Sequence, residues 1–486
     1  MKQINEVYAA KARPIKVLQF GEGNFLRAFV NYAIDVANEK NGFDGNVAII
    51  IPRSGKNEAF AKQGNVYTVC LRGKRNGKTY EENRVITSVA TVISARDEFE
   101  SFMALAKEDS LRFVVSNTTE AGICVDATDS LSDCPPKSFP GKLTKFLYER
   151  YCYYKGAAQK GLIMLPTELL DNNGQALKNC VFQYISLWKL EGEFAAWVES
   201  SCQFVDTLVD RIVTGYPTGE ADSLFAELGY KDLLLVKAEP FSLWAIGNEE
   251  LGAEFPVQSD DFHVEFTNNI KAFKEQKVRI LNGAHTSMVL GAYLAGLDYV
   301  GQCMVDPVIR RMLDQAVFGE IVPTVHLPRE KAEAFAHAVY ERFENPFVKH
   351  ALLSIALNSV SKWKARVMPT LKDSIAMTGT LPKWLTFSLA ALLAFYRTTA
   401  GGDGCLLGKR GNDTYEIHDD AAALAVFQAA AAKDTAQYVA SILSQTGFWG
   451  EDLTAIPGFV ATVTAHVEGI ETIGAKAYIE QLSKTE

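Results

Sequence analysis

The feature that most limits the folds open to this chain is an early strand–turn–helix unit, "IKVLQFGEGNFLRAFVNYAIDVANE". Val17, Leu18 and Phe20 form the apolar strand, and Phe25, Phe29, Tyr32, Ala33 and Val36 recur at helical spacing. Gly21 and Gly23 lie between them. Three further apolar runs of buried-strand type follow, at 47–51 ("VAIII"), 113–115 and 162–165. Strands alternating with helical stretches predict a largely parallel α/β sheet. After about residue 258 every periodic stretch is helical. The expected division is therefore an α/β domain over 1–258 and a mainly helical domain over 259–486. The boundary falls within "NEELGAEFPVQSDD", where Gly, Pro and acidic residues cluster.

Bulk properties narrow the class. A chain of 486 residues has room for two or three domains, and 48% apolar content fits a packed core. A net charge of -9 argues against nucleic acid or an anionic membrane as partner. It leaves room for a local basic pocket and an anionic substrate. The eight cysteines include no C-x-x-C, and no Cys/His group has zinc-ligand spacing. That usage suggests reduced thiols in the cytoplasm and no metal centre. The first residues lack the apolar stretch of a signal peptide. The longest uncharged apolar run, "WLTFSLAALLAFY" (384–396), is too short to span a bilayer and reads as a buried helix.

The glycine turn has the context that a dinucleotide site requires. Gly21 permits a tight turn, and Gly23 lets a pyrophosphate approach the backbone at the helix start. The third glycine of the usual pattern is replaced by Leu26. An ordinary strand-to-helix turn remains an alternative at this point. If a dinucleotide binds, Phe20, Gly21, Glu22, Gly23, Asn24 and Phe25 are its candidate contacts. The second strand ends "IIIPRSG", so Arg53 and Ser54 stand where an acidic residue would hold the adenosine ribose. An arginine there suits a 2′-phosphate instead, so these residues leave NAD and NADP both open.

A second constellation lies in "KVRILNGAHTSMVLGAYLAG", Lys277 to Gly296. Here a lysine, an arginine, an asparagine and a histidine enter an apolar helical frame. At about 100° per residue, Lys277, Leu281 and His285 climb one face, Asn282 lies on its flank, and Arg279 points elsewhere. Lys277, Asn282 and His285 can thus converge on one volume. The bland alternative is a solvated lysine, a helix interruption and a satisfied core histidine.

Two patterns decide between these readings by resemblance. Gly21, Gly23, Phe25, Arg27 and Ala28 match Gly-x-Gly-x-Phe-x-Arg-Ala, and Lys277, Asn282 and His285 match Lys-x4-Asn-x2-His. Together they resemble the long-chain mannitol dehydrogenase family, the polyol-specific dehydrogenases and hexuronate reductases, over nearly the whole chain. Position 29 is Phe where many members carry His. Segments such as "SNTTEAGI", "LPTELLDNNG", "NPFVKHALLSIALNSVSKWKARVMPTL" and "WGEDLTAIPG" resemble the hexuronate-reducing branch. Polyol-specific members carry Ser-Cys-Asp-Asn where this chain has "PTEL". The Asn that helps hold the reacting oxygen there falls on Leu169, so Thr167 or Glu168 would have to replace it.

The resemblance implies a Rossmann-like NAD-binding domain followed by a mainly α-helical substrate domain, with NAD as cofactor. It implies hydride transfer between the nicotinamide and a keto-uronate or aldonate, D-tagaturonate and D-altronate foremost. Fructuronate and mannonate, a neutral polyol, or a non-catalytic nucleotide-binding role are the alternatives; monomer and homodimer are both left open. Lys277 would be the general acid/base. A free lysine titrates near ~10.4, so shuttling a proton at neutral pH calls for burial and nearby cations. Asn282 would donate to the developing oxyanion, and His285 would fix the substrate's pose. Asn117, after a strand end, would lie near the nicotinamide ribose, or else be a turn residue. Glu168 is a candidate substrate contact. A uronate carboxylate needs cations, and "SVSKWKARVMPTLK" offers Lys362, Lys364, Arg366 and Lys372. Lys362 and Arg366, four apart, are the substrate contacts favoured, with a solvated basic face as the alternative.

Overall fold

In the computed structural model, which describes residues 1–52, 55 and 58–484, six parallel strands form the centre of the first unit. They are β1 (Ile15–Phe20), β2 (Asn46–Ile51), β3 (Val89–Ser94), β4 (Phe113–Ser116), β5 (Ile163–Pro166) and β6 (Gln203–Phe204). Their order is β3-β2-β1-β4-β5-β6. The chain winds outward from β1 on one side and then from β4 on the other, so the order reverses between β1 and β4. Open sheets of this kind bind ligands at that reversal, beyond the carboxyl ends of the strands.

A parallel sheet must be covered on both faces, and successive side chains alternate between two cores. Val17, Val47, Ile49, Phe113, Val115, Ile163 and Leu165 pack with Ala33, Ile34 and Val36 of helix Val30–Lys40. Leu18, Phe20, Ala48, Ile50, Val114 and Met164 pack instead with Leu143, Phe146 and Leu147 of helix Phe139–Tyr154. The four strands expected from apolar runs are all present in parallel register. A mixed sheet of Tyr67–Arg75, Lys78–Ile86, Val213–Gly215 and Val236–Ala238 was not legible in them. Nor was a smaller sheet of Thr207–Asp210, Leu243–Ile246 and Val264–Phe266.

The first compact unit is Met1–Ile270 and the second is Lys271–Glu486. The second is mainly helical, as its periods predict. Its buried axis is helix Lys383–Tyr396, the "WLTFSLAALLAFY" run, on which helix Gly283–Leu294 packs. The approach is close at Gly291, where a Cβ would come within 3.0 Å of Phe387 Cε1. Among the described residues no helix is long and apolar enough to cross a membrane.

The start of helix Lys383–Tyr396 has no cap from its own sequence. Glu320, in a π-helical turn (Gln315–Ile321), supplies one: its carboxylate accepts the N–H groups of Trp384 and Leu385, each at 2.9 Å. Burial pushes the Glu320 acid up to about 7, against those N–H donors and the nearby Lys383 cation, which favour the anion. The native state therefore binds an extra proton between an unfolded glutamate's ordinary range and about pH 7, and loses stability as pH rises through that window. Glu320→Gln keeps one acceptor and cannot ionise. Thermal midpoints read by calorimetry from about pH 5 to about pH 8 should fall less in this variant than in the parent. Parallel curves would contradict the burial argument.

Candidate active site

At the carboxyl end of β1 the chain turns sharply at Gly21, whose φ is +113°. A Cβ there would sit a tight 3.2 Å from Leu26 Cδ1, and the backbone angle itself calls for glycine. Gly23 is different. Its φ is -61°, and a Cβ would meet nothing within 4 Å. The protein's own packing gives no reason for glycine at 23, whereas a pyrophosphate against the backbone does. The residues at this turn thus fit a dinucleotide. Phe20 turns its ring into the core, 4.9 Å from Phe139, and its backbone lies in the ladder between Ile50 and Ser116. Glu22 is half-buried, Asn24 is exposed, and Phe25 stacks on Phe29 at 4.8 Å. Arg27 is buried beneath the turn, where its guanidinium donates to the Leu234 carbonyl and to Asn24. Arg53 and Ser54 lie outside the described residues.

Asn117 follows β4 beside the same turn, and its N–H donates to the Phe20 carbonyl at 3.4 Å. Its side-chain amide donates to the Thr167 carbonyl at 2.9 Å. The buried Glu168 carboxylate accepts from Ser116 Oγ at 3.1 Å, and from the Thr118 N–H and hydroxyl at 2.9 and 3.0 Å. These bonds join the ends of β4 and β5 into one rigid platform. Leu169 beside them is 63% exposed.

In the second unit, Lys277–Asn282 is a π-helical turn leading into helix Gly283–Leu294. A uniform 100° step, which set Leu281 above Lys277 and Asn282 on the flank, does not hold here. In a π turn residue i bonds to i+5, so Asn282 swings toward the Lys277 face rather than lying about 140° from it. His285, three residues further along ordinary α-helix, continues the same line. Lys277, Asn282 and His285 are each half-buried. Arg279 is turned away, paired with Glu275 at 2.9 Å and Asp373 at 2.6 Å.

The His285 ring stacks on Phe343 at 4.1 Å and meets the His350 ring edge-on at 5.3 Å. Its Nε2 is out of water with no hydrogen-bond partner among the described residues. Burial holds the imidazole well below its ordinary value, and positive charge from His350, Arg342 and Arg366 adds to the effect. His285 is therefore neutral, able to donate or accept a hydrogen bond but not to act as a cationic acid.

Helix Ser359–Arg366 packs against this element, and Arg366 reaches Thr286 Oγ1 at 3.5 Å. Burial lowers both Lys362 and Arg366, and the Arg366 charge lowers Lys362 further. Lys362 donates to the Ile355 carbonyl at 2.9 Å. Exposed Lys372 by contrast pairs with half-buried Glu451 at 2.7 Å. Arg342, Phe343 and His350 were not found by sequence reasoning; the first two end helix Arg329–Phe343 and His350 follows it, and their only signal is a basic and aromatic run there.

The parallel sheet with its strand-order reversal, and the glycine turn at that reversal, define a Rossmann-type protein with a helical second unit. Residues 15–258 match the mannitol dehydrogenase Rossmann domain, and 269–471 match the mannitol dehydrogenase C-terminal domain. The chain belongs to the mannitol dehydrogenase family. An altronate oxidoreductase of Pectobacterium carotovorum subsp. carotovorum (strain PC1) is 44% identical over 482 residues, 97% of this chain and 98% of that protein. Among solved structures, a substrate-free D-sorbitol dehydrogenase shares the fold with a TM-score of 0.77 at 20% identity, covering 96% of this chain and 95% of that one. A Pseudomonas fluorescens mannitol 2-dehydrogenase, solved as a ternary complex with NAD and D-mannitol, gives 0.66 at 22%, covering 99% and 96%.

An unpartnered nitrogen kept in a buried aromatic stack lowers stability by roughly 1–3 kcal/mol. His285→Phe retains the stack and removes that nitrogen. Its thermal midpoint, measured by scanning fluorimetry, should hold or rise by roughly 2–4 °C. A clear fall would show that the nitrogen is satisfied within the protein.

Proposed function

We propose that this chain is an NAD-dependent oxidoreductase interconverting D-tagaturonate and D-altronate in hexuronate catabolism. The observation that carries the reading is the altronate oxidoreductase relative, aligned from end to end, taken with the cations gathered around the Lys277–His285 element. A neutral polyol gives those cations nothing to neutralise, whereas a uronate brings a carboxylate.

Residues of the Gly21–Phe25 turn and Asn117 hold the dinucleotide. When bound, the nicotinamide supplies or takes up the hydride at the sugar's carbonyl carbon. As hydride arrives, negative charge grows on the carbonyl oxygen. Lys277 gives its ammonium proton to that oxygen in reduction and takes it back in oxidation. Asn282, one π turn above, donates its amide N–H to the same oxygen; such a donor is worth ~3 kcal/mol in the transition state. Neutral His285 bonds the oxygen or an adjacent hydroxyl through Nε2. Arg366 and Lys362 meet the carboxylate, the arginine through its two parallel donors. Glu168 acts by holding the loop around Ser116 and Thr118 in place for the substrate. The eight cysteines, all free thiols, support a reducing cytoplasmic setting.

The test follows the reduced-nicotinamide absorbance with NADH and NADPH against a panel of keto-uronates and ketohexoses. Turnover is expected with NADH and tagaturonate. A preference for fructose would replace the reading with a polyol dehydrogenase, and a preference for fructuronate would move the substrate to the neighbouring epimer. Lys277→Ala should then lower kcat by roughly 10²–10⁴-fold, with NADH affinity by fluorescence titration nearly unchanged. Parental turnover in that variant would remove Lys277 from the acid/base role.

A further inference from the structure

Away from this site, the two-stranded hairpin Leu406–Arg410/Asp413–Ile417 gathers three side chains of metal-ligand type. Leu406 pairs with Ile417 and Leu407 with Glu416. One step further, Cys405 and His418 stand opposite each other. Glu416, two residues before His418, projects from the same face. A ligand atom from each of Cys405, Glu416 and His418 lies within 4.8 Å of the other two. Cys405 is buried, while Glu416 and His418 are exposed with His418 Nε2 2.8 Å from Glu416 Oε2. With twelve residues between them, Cys405 and His418 have the spacing of the inner Cys–His pair of a zinc finger, but no second Cys or His flanks them at that motif's spacing, and the hairpin register brings them together.

We propose that Cys405, Glu416 and His418 form a binding site for one divalent cation of the borderline class, with zinc as its best occupant. A thiolate, an imidazole and a carboxylate are a zinc ligand set, and three of them leave a fourth position for water. Magnesium and calcium ask for six or more oxygens, which this face cannot supply. Zinc bonds of about 2.0–2.3 Å place ligand atoms roughly 3.5 Å apart, within reach of side-chain rotation from the present arrangement. On binding, the Cys405 thiol releases its proton to solvent and the thiolate sulfur donates a lone pair to the metal. His418 stays neutral and coordinates through a ring nitrogen.

The position of the site has a consequence for the substrate helix. The His418 carbonyl accepts the Asn358 N–H at 3.0 Å. The Asp419 carboxylate accepts the Val360 N–H at 3.1 Å and the Tyr396 hydroxyl at 2.6 Å. These bonds hold the start of helix Ser359–Arg366, which carries Lys362 and Arg366. A metal at the hairpin fastens the strand end that they depend on. This coupling rests on the reading of Lys362 and Arg366 as carboxylate contacts; the metal site does not.

The full-length chain, stripped with chelator and dialysed, would be titrated with cobalt(II) and then zinc(II). The parent should take up one equivalent of cobalt with a thiolate-to-cobalt charge-transfer band, which zinc abolishes. Cys405→Ser and His418→Ala should each lose the band while keeping the parental circular dichroism, the exposed His418 being the safer of the two for folding. No band in the parent, or an equal band in both variants, overturns the site. With zinc bound, KM for the keto-uronate should fall at least roughly two-fold in the parent and stay constant in His418→Ala. An unchanged KM with the band intact overturns the coupling alone. Absence of any keto-uronate turnover overturns the proposed activity and leaves the cobalt result standing.

Discussion

A helix that must carry an amine, an amide and an imidazole in one line, at steps of five and then three residues, has to leave the α period once. On a regular helix a step of five lands about 140° away, and the amide would face another neighbour. The π turn at Lys277–Asn282 absorbs that step and returns to α-helix at Gly283. Gly283 belongs to the same arrangement, since a Cβ there would lie 3.4 Å from the Arg366 carbonyl. The cation-bearing helix packs against it in ordinary van der Waals contact at the point where the backbone period changes. The polar line and its basic neighbours thus depend on one local widening of the backbone. Such widenings recur at functional sites because they re-aim side chains at small cost to the hydrogen-bond ladder.

How much of this was legible in the sequence depended on how far apart the cooperating residues lie. The β1 turn and the buried strands announce themselves through continuous apolar runs, because a strand covered on both faces has no need of alternation. The antiparallel partner Lys78–Ile86 has an exposed or half-buried face of Lys, Glu, Asn and Arg, so its pattern looks like loop. The dipeptide Asn76-Gly77 did carry the missing information. Both residues adopt positive φ, 53° and 73°, as a two-residue hairpin turn requires. The line of Lys277, Asn282 and His285 was legible as a spacing, but the π geometry that makes sense of it was not. A π turn differs from an α turn by one hydrogen-bond register and leaves no mark on hydrophobic periodicity. Arg342, Phe343 and His350 could not be found at all. They reach His285 from 57 to 65 positions away through tertiary packing alone.

Under the proposed activity, the same cations account for how a polyol-dehydrogenase scaffold turns toward acids. Lys362 and Arg366 sit on one helix face, both partly desolvated, and the arginine's charge makes the lysine's harder to keep. In the free protein that repulsion is a standing cost. A carboxylate relieves it and adds charge-assisted hydrogen bonds, each worth roughly 1.5–3 kcal/mol against about 0.5–1.5 for a neutral pair. A neutral polyol relieves nothing and would bury its hydroxyls beside unneutralised charge. Discrimination therefore comes from repulsion already present in the free protein as much as from attraction to the ligand. The neutral state of His285 follows from burial first, and the same field adds to it. Arg342, Arg366 and His350 all oppose a proton on its ring, so the site keeps an uncharged hydrogen-bonding group among its cations. Under the proposed mechanism, that leaves proton transfer to the lysine and orientation to the imidazole, whose neutral state is set by burial and by the charges around it.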